Sequence, residues 1–130
     1  MYGSPALALS FKPTNNLAPY GGQTVYLEVI VVNSGSSTAL GTEICLSTDQ
    51  DVTIANSAFV SSENGGNFNV EVFGGCAVFD ATLGTSIVQF ELLANSVSSS
   101  SGTISANLYH PSDSTSDDNN AENFFWVHNP

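Results

Sequence analysis

Apolar and polar residues alternate along most of this chain, a pattern typical of β-strands whose two faces differ in burial. The longest such stretch runs from Thr24 to Asn33. One face of this stretch is aliphatic and is expected to be buried: Val25, Leu27, Val29 and Val31. The opposite face mixes aromatic, acidic and aliphatic residues and is expected to point outward: Tyr26, Glu28, Ile30 and Val32.

Further short alternating segments follow, and turn residues separate them. They are predicted at residues 6–11, 42–47, 57–61, 67–73, 76–83, 86–93, 103–109 and 123–128. No segment has a helical period with capping residues at its ends. The sequence therefore predicts an all-β fold, an Ig-like antiparallel β-sandwich of about seven to nine strands. We interpret residues 1–130 as one such domain, an excised unit or subunit of an extracellular protein.

The clearest hairpin signal is Gly74-Gly75, a two-residue turn between two alternating segments. Turns of this length fix the register of the strands that they join. Phe73 is therefore expected opposite Cys76, and Val72 opposite Ala77. In this register Cys76 points away from the core.

The two cysteines, Cys45 and Cys76, are candidates for a disulfide. Cys45 also points outward if Ile44 and Leu46 point inward. An even number of cysteines in an extracellular chain favours a disulfide. Such a bond would lie on the outer face of a sheet, because both side chains point outward. Two unpaired thiols are the alternative, because cysteine also serves as a small core residue.

Charge narrows the range of partners. The 130 residues include one lysine, no arginine and 12 carboxylates, for a formal net charge of −11. Nucleic acid is nearly excluded, because phosphate binding needs clustered cations. Anionic membrane surfaces are disfavoured for the same reason, and no stretch approaches the roughly 20 apolar residues of a membrane span.

Three segments together resemble a known family. Gly21 to Val25 followed by Val29 to Gly35 resembles the opening of bacterial surface Ig-like repeats. Leu46 to Asp49 and then Asp117 to Asn123 resemble elements of the cell-adhesion-related domain found in bacteria, CARDB. A sister class of bacterial surface repeats fits almost as well. The resemblance implies an Ig-like fold, a surface location and use as an adhesive or spacer domain, and it implies no catalytic residues.

The predicted function is a structural or adhesion module, outside the cell or on its surface, that contacts neighbouring domains or like subunits. No nucleophile elbow, glycine-rich phosphate loop or HExxH motif is present, so no enzyme activity is expected. Two alternatives remain open. One is a carbohydrate-binding module for cell-surface glycans, and the other is a self-assembling subunit of an extracellular filament.

Two groups of oxygen-bearing side chains could hold calcium, which takes six to eight oxygen ligands from flexible loops. They lie after the third predicted strand and before the last one: Asp49, Asp51, Asp113, Asp117, Asp118 and Asn119. Ordinary turn chemistry is the alternative interpretation, because Asp and Asn hydrogen-bond their own backbone in turns. No other cofactor is expected.

Outward apolar side chains could form a ligand or interface surface. The candidates are Tyr26, Ile30, Phe73, Tyr109 and Trp126. Exposed aromatic rings stack on sugars or pack against a neighbouring domain. Packing in the core is the alternative for Trp126, because both faces of its segment are apolar.

Overall fold

The computed structural model describes residues 4–12, 17–48, 52–62, 71–73, 76–94, 100–111 and 119–127. These residues contain nine strands: β1 (Leu7–Phe11), β2 (Thr24–Asn33), β3 (Ala39–Thr48), β4 (Val52–Ser62), β5 (Glu71–Phe73), β6 (Cys76–Ala81), β7 (Gly84–Ala94), β8 (Ser100–Tyr109) and β9 (Asn120–Val127). In these ranges there is no helix long and apolar enough to cross a membrane.

The strands form two sheets whose inner faces share one core. The four-stranded sheet has the order β1-β2-β7-β4, and the five-stranded sheet has the order β5-β6-β3-β8-β9. Every pairing is antiparallel. The predicted all-β antiparallel sandwich is confirmed, with nine strands among the described residues.

Strand β2 lies inside the four-stranded sheet and pairs with β7 over ten positions, from Thr24 opposite Leu93 to Asn33 opposite Gly84. Burial alternates along it as the sequence predicted. Its buried side chains meet those of the neighbouring strands in the core: Leu7, Leu9, Phe11, Val25, Leu27, Val29, Val31, Val88, Phe90 and Leu92. Burial of this aliphatic face stabilises the sheet because apolar surface is removed from water.

The five-stranded sheet supplies the other half of the core. Its buried side chains come from β3, β6 and β8: Ala39, Ile44, Leu46, Ala77, Phe79, Ala81, Ile104, Ala106 and Leu108. The hairpin register predicted from the sequence is confirmed, with Phe73 opposite Cys76 and Val72 opposite Ala77.

Asn33, in the segment that resembles the surface repeats, fastens the two sheets together. Its side chain is almost fully buried. Its Oδ1 accepts hydrogen bonds from the backbone N–H groups of Ala6 (3.2 Å) and Gly35 (3.1 Å). Its Nδ2 donates to the backbone oxygens of Ser37 (2.9 Å) and Ala81 (3.0 Å). One amide thus joins the start of β1, the β2–β3 connection and the end of β6.

Gly35 completes this junction because the chain before β1 passes against it. A Cβ atom at Gly35 would lie 2.6 Å from the backbone nitrogen of Ala6, closer than real Cβ contacts allow. Only glycine fits this approach without a shift of backbone. The Asn-Ser-Gly part of the resemblance therefore has a structural role.

Candidate functional site

The outward side of the four-stranded sheet carries a group of apolar side chains, which we call the apolar face. Its members are half-buried or exposed: Ala8, Tyr26, Ile30, Val32, Ile87 and Leu93. Tyr26 is the most exposed of them, at 55%. The outward aliphatic positions predicted on β2 are therefore present at the surface of the molecule.

Cross-strand pairing groups these side chains into two clusters. Ile30 lies directly opposite Ile87, and Val32 follows on the same side of β2. At the other end of the sheet, Tyr26 and Leu93 are diagonal neighbours, a relation that long side chains bridge.

An ion pair crosses the apolar face between these clusters. Lys12 Nζ lies 2.5 Å from Glu28 Oε2, and the lysine side chain remains 42% exposed. The backbone N–H of Lys12 also donates to the oxygen of Glu28, at 3.1 Å. Lys12 is the only lysine, and the strands of this sheet contain only two carboxylates, Glu28 and Glu91. The apolar face is therefore close to neutral in a chain of charge −11.

The outward side of the five-stranded sheet, which we call the polar face, has a different composition. Its outward residues include Glu43, Ser47, Asp80, Thr103, Ser105, Asn107, Asn120 and Glu122. Hydrogen bonds link adjacent strands across it, for example between the hydroxyls of Ser47 and Ser105, at 2.7 Å.

A disulfide lies within the polar face. Cys45 and Cys76 are opposite each other on β3 and β6 and are joined by a bond of 2.08 Å. Their Cα atoms are 4.0 Å apart, and both residues are half-buried. Because Ile44 and Leu46 are buried on the inner side, the bond has the outward position expected from the sequence.

A groove opens at the end of β8 and the start of β9, and we call it the β8–β9 groove. Its volume is about 490 Å³, and its lining consists of Asn107, Leu108, Tyr109, His110, Pro111, Asn119 and Asn120. Backbone pairing with β8 already begins one residue before β9, because the Leu108 N–H donates to the oxygen of Asn119 at 2.8 Å. Tyr109 stands exposed at the groove, at 64%.

Two side-chain hydrogen bonds organise this groove. Asn120 Nδ2 donates to Asn107 Oδ1 across the two strands, at 2.6 Å. His110 Nε2 lies 2.8 Å from the backbone oxygen of Leu40 and is the donor, because a carbonyl only accepts.

The carbonyl of Leu40 reaches His110 from an irregularity in β3. The pairing of β3 with β6 shifts between Ala39 and Thr42. Gly41 adopts a φ of +69° there, and its N–H donates to Asp80 Oδ1 at 2.9 Å. Glycine tolerates this left-handed conformation at little cost, and the irregularity thus helps to hold one wall of the groove.

The predicted calcium ligands are only partly within the described residues. Asn119 is described and lines the β8–β9 groove. The other predicted ligands lie outside the described residues: Asp49, Asp51, Asp113, Asp117 and Asp118. Calcium binding by these side chains stays a prediction.

The predicted interface residues do not form one surface. Tyr26 and Ile30 lie on the apolar face, and Tyr109 and Trp126 lie at outward positions of the other sheet. Phe73 lies on β5, opposite Cys76. Trp126 is 41% exposed, and its backbone N–H donates to the oxygen of Leu17 at 2.9 Å. The exposed side chains of Tyr26 and Tyr109 are thus on opposite sides of the sandwich.

Sequence reasoning missed two members of the β8–β9 groove, Asn107 and Asn120. Their amides meet because β8 and β9 pair in a register that sets Asn107 opposite Asn120. No short motif carries this information, since the two residues are separated by a long connection.

Solved structures identify the fold. Neither a protein-family model nor a curated protein sequence matches the chain. The CARDB domain of a protein from Pyrococcus furiosus superimposes with a TM-score of 0.62 at 12% identity, covering 98% of this chain and 98% of that domain. The chain has a CARDB-like fold. The resemblance predicted from the sequence is thus confirmed at the level of the fold.

Two further structures are similar to this CARDB-like chain. The same CARDB domain crystallised in complex with di-metal ions gives a TM-score of 0.60 at 14% identity, covering 95% of this chain and 89% of the domain. A cohesin module from a Clostridium perfringens family 33 glycoside hydrolase gives 0.55 at 14% identity, with 98% of both chains covered.

Among the described residues, one group of possible metal ligands lies close together. Glu43, Cys45 and Cys76 place their ligand atoms within 4.8 Å of one another. Both sulfur atoms, however, belong to the disulfide, and metal ions are bound by thiolates rather than by disulfide sulfur. Glu43 alone, with its Oε1 3.4 Å from Cys45 Sγ, is not a metal site. This group therefore does not fit a metal ion while the disulfide is intact.

Proposed function

We propose that this chain is a non-catalytic structural or adhesion module of an extracellular or cell-surface protein, and that its apolar face contacts a second module of the same kind. The observation that carries the proposal is the exposure of Tyr26, Val32 and Leu93 on a sheet whose other face already forms the core. Large apolar side chains grouped at a surface are typical of contact sites.

Burial of this face against a partner is favourable, because each Å² of apolar surface removed from water contributes roughly 25 cal/mol. The fold does not require these outward side chains, since the inner faces of both sheets already enclose the core. The contact would therefore use surface that folding leaves unburied.

Charge favours this face over the rest of the surface as the place where two copies meet. Two modules of charge −11 repel each other, and the repulsion is weakest where carboxylates are few. The strands of the four-stranded sheet carry two carboxylates, and Lys12 neutralises one of them. A contact through the apolar face therefore costs less electrostatic free energy than one through the five-stranded sheet, whose strands carry four carboxylates.

Strand edges are less suited to the contact than the face. β4 forms one edge of the four-stranded sheet, and its pairing is irregular at two places, between Ile54 and Asn56 and between Phe59 and Ser61. Such irregularities hinder edge-to-edge pairing. The opposite sheet ends at β9, where the Trp126 N–H already donates to Leu17. These features support a contact through the face.

The disulfide supports the proposed extracellular location of this chain, and the similar solved structures support its proposed role as a module of a larger protein. Disulfides persist in oxidising compartments, mainly outside the cytosol, so the Cys45–Cys76 bond supports the proposed extracellular location. The similar structures are named as a domain and a module of their proteins. Labelling of intact cells with an impermeable reagent, followed by detection of the chain, tests the proposed surface location.

Sedimentation velocity at micromolar and millimolar concentrations tests the proposed contact. We expect the wild-type chain to associate as concentration rises, and Val32→Glu to shift the equilibrium back toward the monomer. Leu40→Glu is the matched control, because it places the same charge on an exposed aliphatic residue of the other sheet. A wild-type chain that stays monomeric throughout, or equal effects of both variants, would contradict the contact.

A further inference from the structure

The β8–β9 groove has the size of a small-molecule site, and its described lining includes three asparagines and an exposed tyrosine. Its volume of about 490 Å³ falls within the range of about 300–1,000 Å³ that is usual for ligand sites. Neither a carboxylate nor a lysine lines its described walls, although the chain carries 12 carboxylates. Calcium and magnesium prefer carboxylate oxygens, and anions prefer cationic side chains. The amide and aromatic side chains described in this lining suit an uncharged polar ligand.

The exposed ring of Tyr109 supplies a flat apolar surface at this groove. The residue is 64% exposed and lies at an outward position of β8, two residues from Asn107 on the same face. Tyrosine is well suited to a ligand that is apolar on one side and hydroxylated on the other, since its ring packs while its hydroxyl stays in water. An edge-on or stacked contact with such a ligand would bury ring surface that is now in water.

The paired amides supply matched polar groups beside the ring. Asn120 Nδ2 donates to Asn107 Oδ1, and this bond fixes how both amides are oriented. This bond uses Asn107 Oδ1 and one hydrogen of Asn120 Nδ2, so the Nδ2 group of Asn107 can donate to a ligand and the Oδ1 of Asn120 can accept from one. Adjacent hydroxyl groups also offer donors and acceptors, and a side chain already held in place loses less entropy on binding.

We propose that the β8–β9 groove binds a neutral carbohydrate, with the C–H face of a pyranose ring on Tyr109 and adjacent hydroxyls on the Asn107–Asn120 pair. A β-1,4-linked glucose-type chain suits this arrangement, because its equatorial substituents leave the ring faces flat and apolar. The site is independent of the contact proposed above, because it lies on the opposite sheet.

Titration of the ¹⁵N-labelled chain with cellotetraose and with chitotetraose tests the site. We expect saturable shifts of the backbone amides of Asn107, Tyr109 and Asn120 with at least one of these sugars. Tyr109→Ala should raise the dissociation constant about tenfold, because one stacked ring is lost from a small site. Tyr109→Phe should retain binding because it keeps the ring.

Tyr26→Ala is the matched control, because it removes a tyrosine of similar exposure from the other sheet. It should leave sugar binding unchanged, and Asn120→Ala should weaken it. Absence of saturable shifts with both tetrasaccharides would overturn the proposal, as would undiminished binding by folded Tyr109→Ala. Val32→Glu should bind sugar like the wild type, so failure of the sugar site and failure of the apolar contact are distinguishable.

Discussion

The two sheets have similar inner faces and different outer faces. Both inner faces are aliphatic and aromatic, with Phe90 in the four-stranded sheet and Phe79 in the five-stranded sheet among the largest buried side chains. Outside, the first sheet presents the clustered side chains of Tyr26, Ile30 and Val32. The second presents mainly serine, threonine, asparagine and glutamate, with Leu40, Tyr109 and Trp126 exposed among them. A sandwich needs only one apolar face on each sheet. The apolar outer face of the four-stranded sheet is therefore not needed for folding and indicates a contact.

The sheets also differ in how their strands are held. In the four-stranded sheet, β2 and β7 pair without interruption over ten positions. The five-stranded sheet contains a three-residue edge strand and the shift between Ala39 and Thr42, and a disulfide joins two of its strands. We infer that the covalent bond compensates for the short ladder between β3 and β6, which pair at only five positions.

The largest effects should come from the shared inner faces. Phe90→Ala and Phe79→Ala should each lower the free energy of unfolding by about 3–5 kcal/mol, because each leaves a cavity in a closed core. Guanidinium unfolding followed by far-UV circular dichroism measures both. Similar losses would show that the sheets differ only on their outer sides, whereas a much smaller loss for Phe79→Ala would extend the difference to the core.

Removal of the disulfide should come next. Cys45→Ala combined with Cys76→Ala should lower the free energy of unfolding by about 2–4 kcal/mol, because the unfolded chain regains the freedom of the closed loop. The same measurement on the wild type with and without a reducing agent provides the comparison. A negligible loss would mean that the five-stranded sheet needs no covalent support.

Asn33→Ala tests the junction between the two sheets. It should cost about 2–3 kcal/mol, because it leaves buried backbone donors and acceptors without their partners. Asn120→Ala, which removes an exposed amide, is the control and should cost much less. Equal losses in urea unfolding would argue against Asn33 as the group that fastens the end of β6 to β2.

The smallest change in stability should follow Lys12→Met. The ion pair with Glu28 is partly exposed and screened by water, so its loss should cost less than about 1 kcal/mol. Association through the apolar face should weaken more visibly, because the face then keeps the negative charges of Glu28 and Glu91 and loses the only lysine. Sedimentation at low and high salt measures this, and the difference from the wild type should shrink at high salt.

Strict alternation made part of the fold predictable. The limits and faces of β2 follow from ten residues in which aliphatic positions recur at every second place. The register of β5 with β6 follows from a two-residue turn, which leaves one pairing open. In both cases the information lies within a short stretch of chain.

Irregular or distant pairing was not predictable in the same way. β4 was expected only at residues 57–61 and spans Val52–Ser62, because two register shifts interrupt its alternation. β9 begins at Asn120 rather than at residue 123, since backbone pairing with β8 does not depend on apolar side chains there. The Asn107–Asn120 pair depends on that register, so the groove could not be predicted from the sequence of β8 or of β9 alone.

The disulfide has a mechanical consequence if the chain is pulled from its ends. It joins residues 31 positions apart, so tension passes from β3 directly to β6 and bypasses β4 and β5. An extended chain spans at most about 3.3–3.6 Å per residue, so the bond withholds roughly 100 Å of length from a stretched molecule. Reduction would release that length once the module unfolds under load, so the unfolded module would extend further at the same tension.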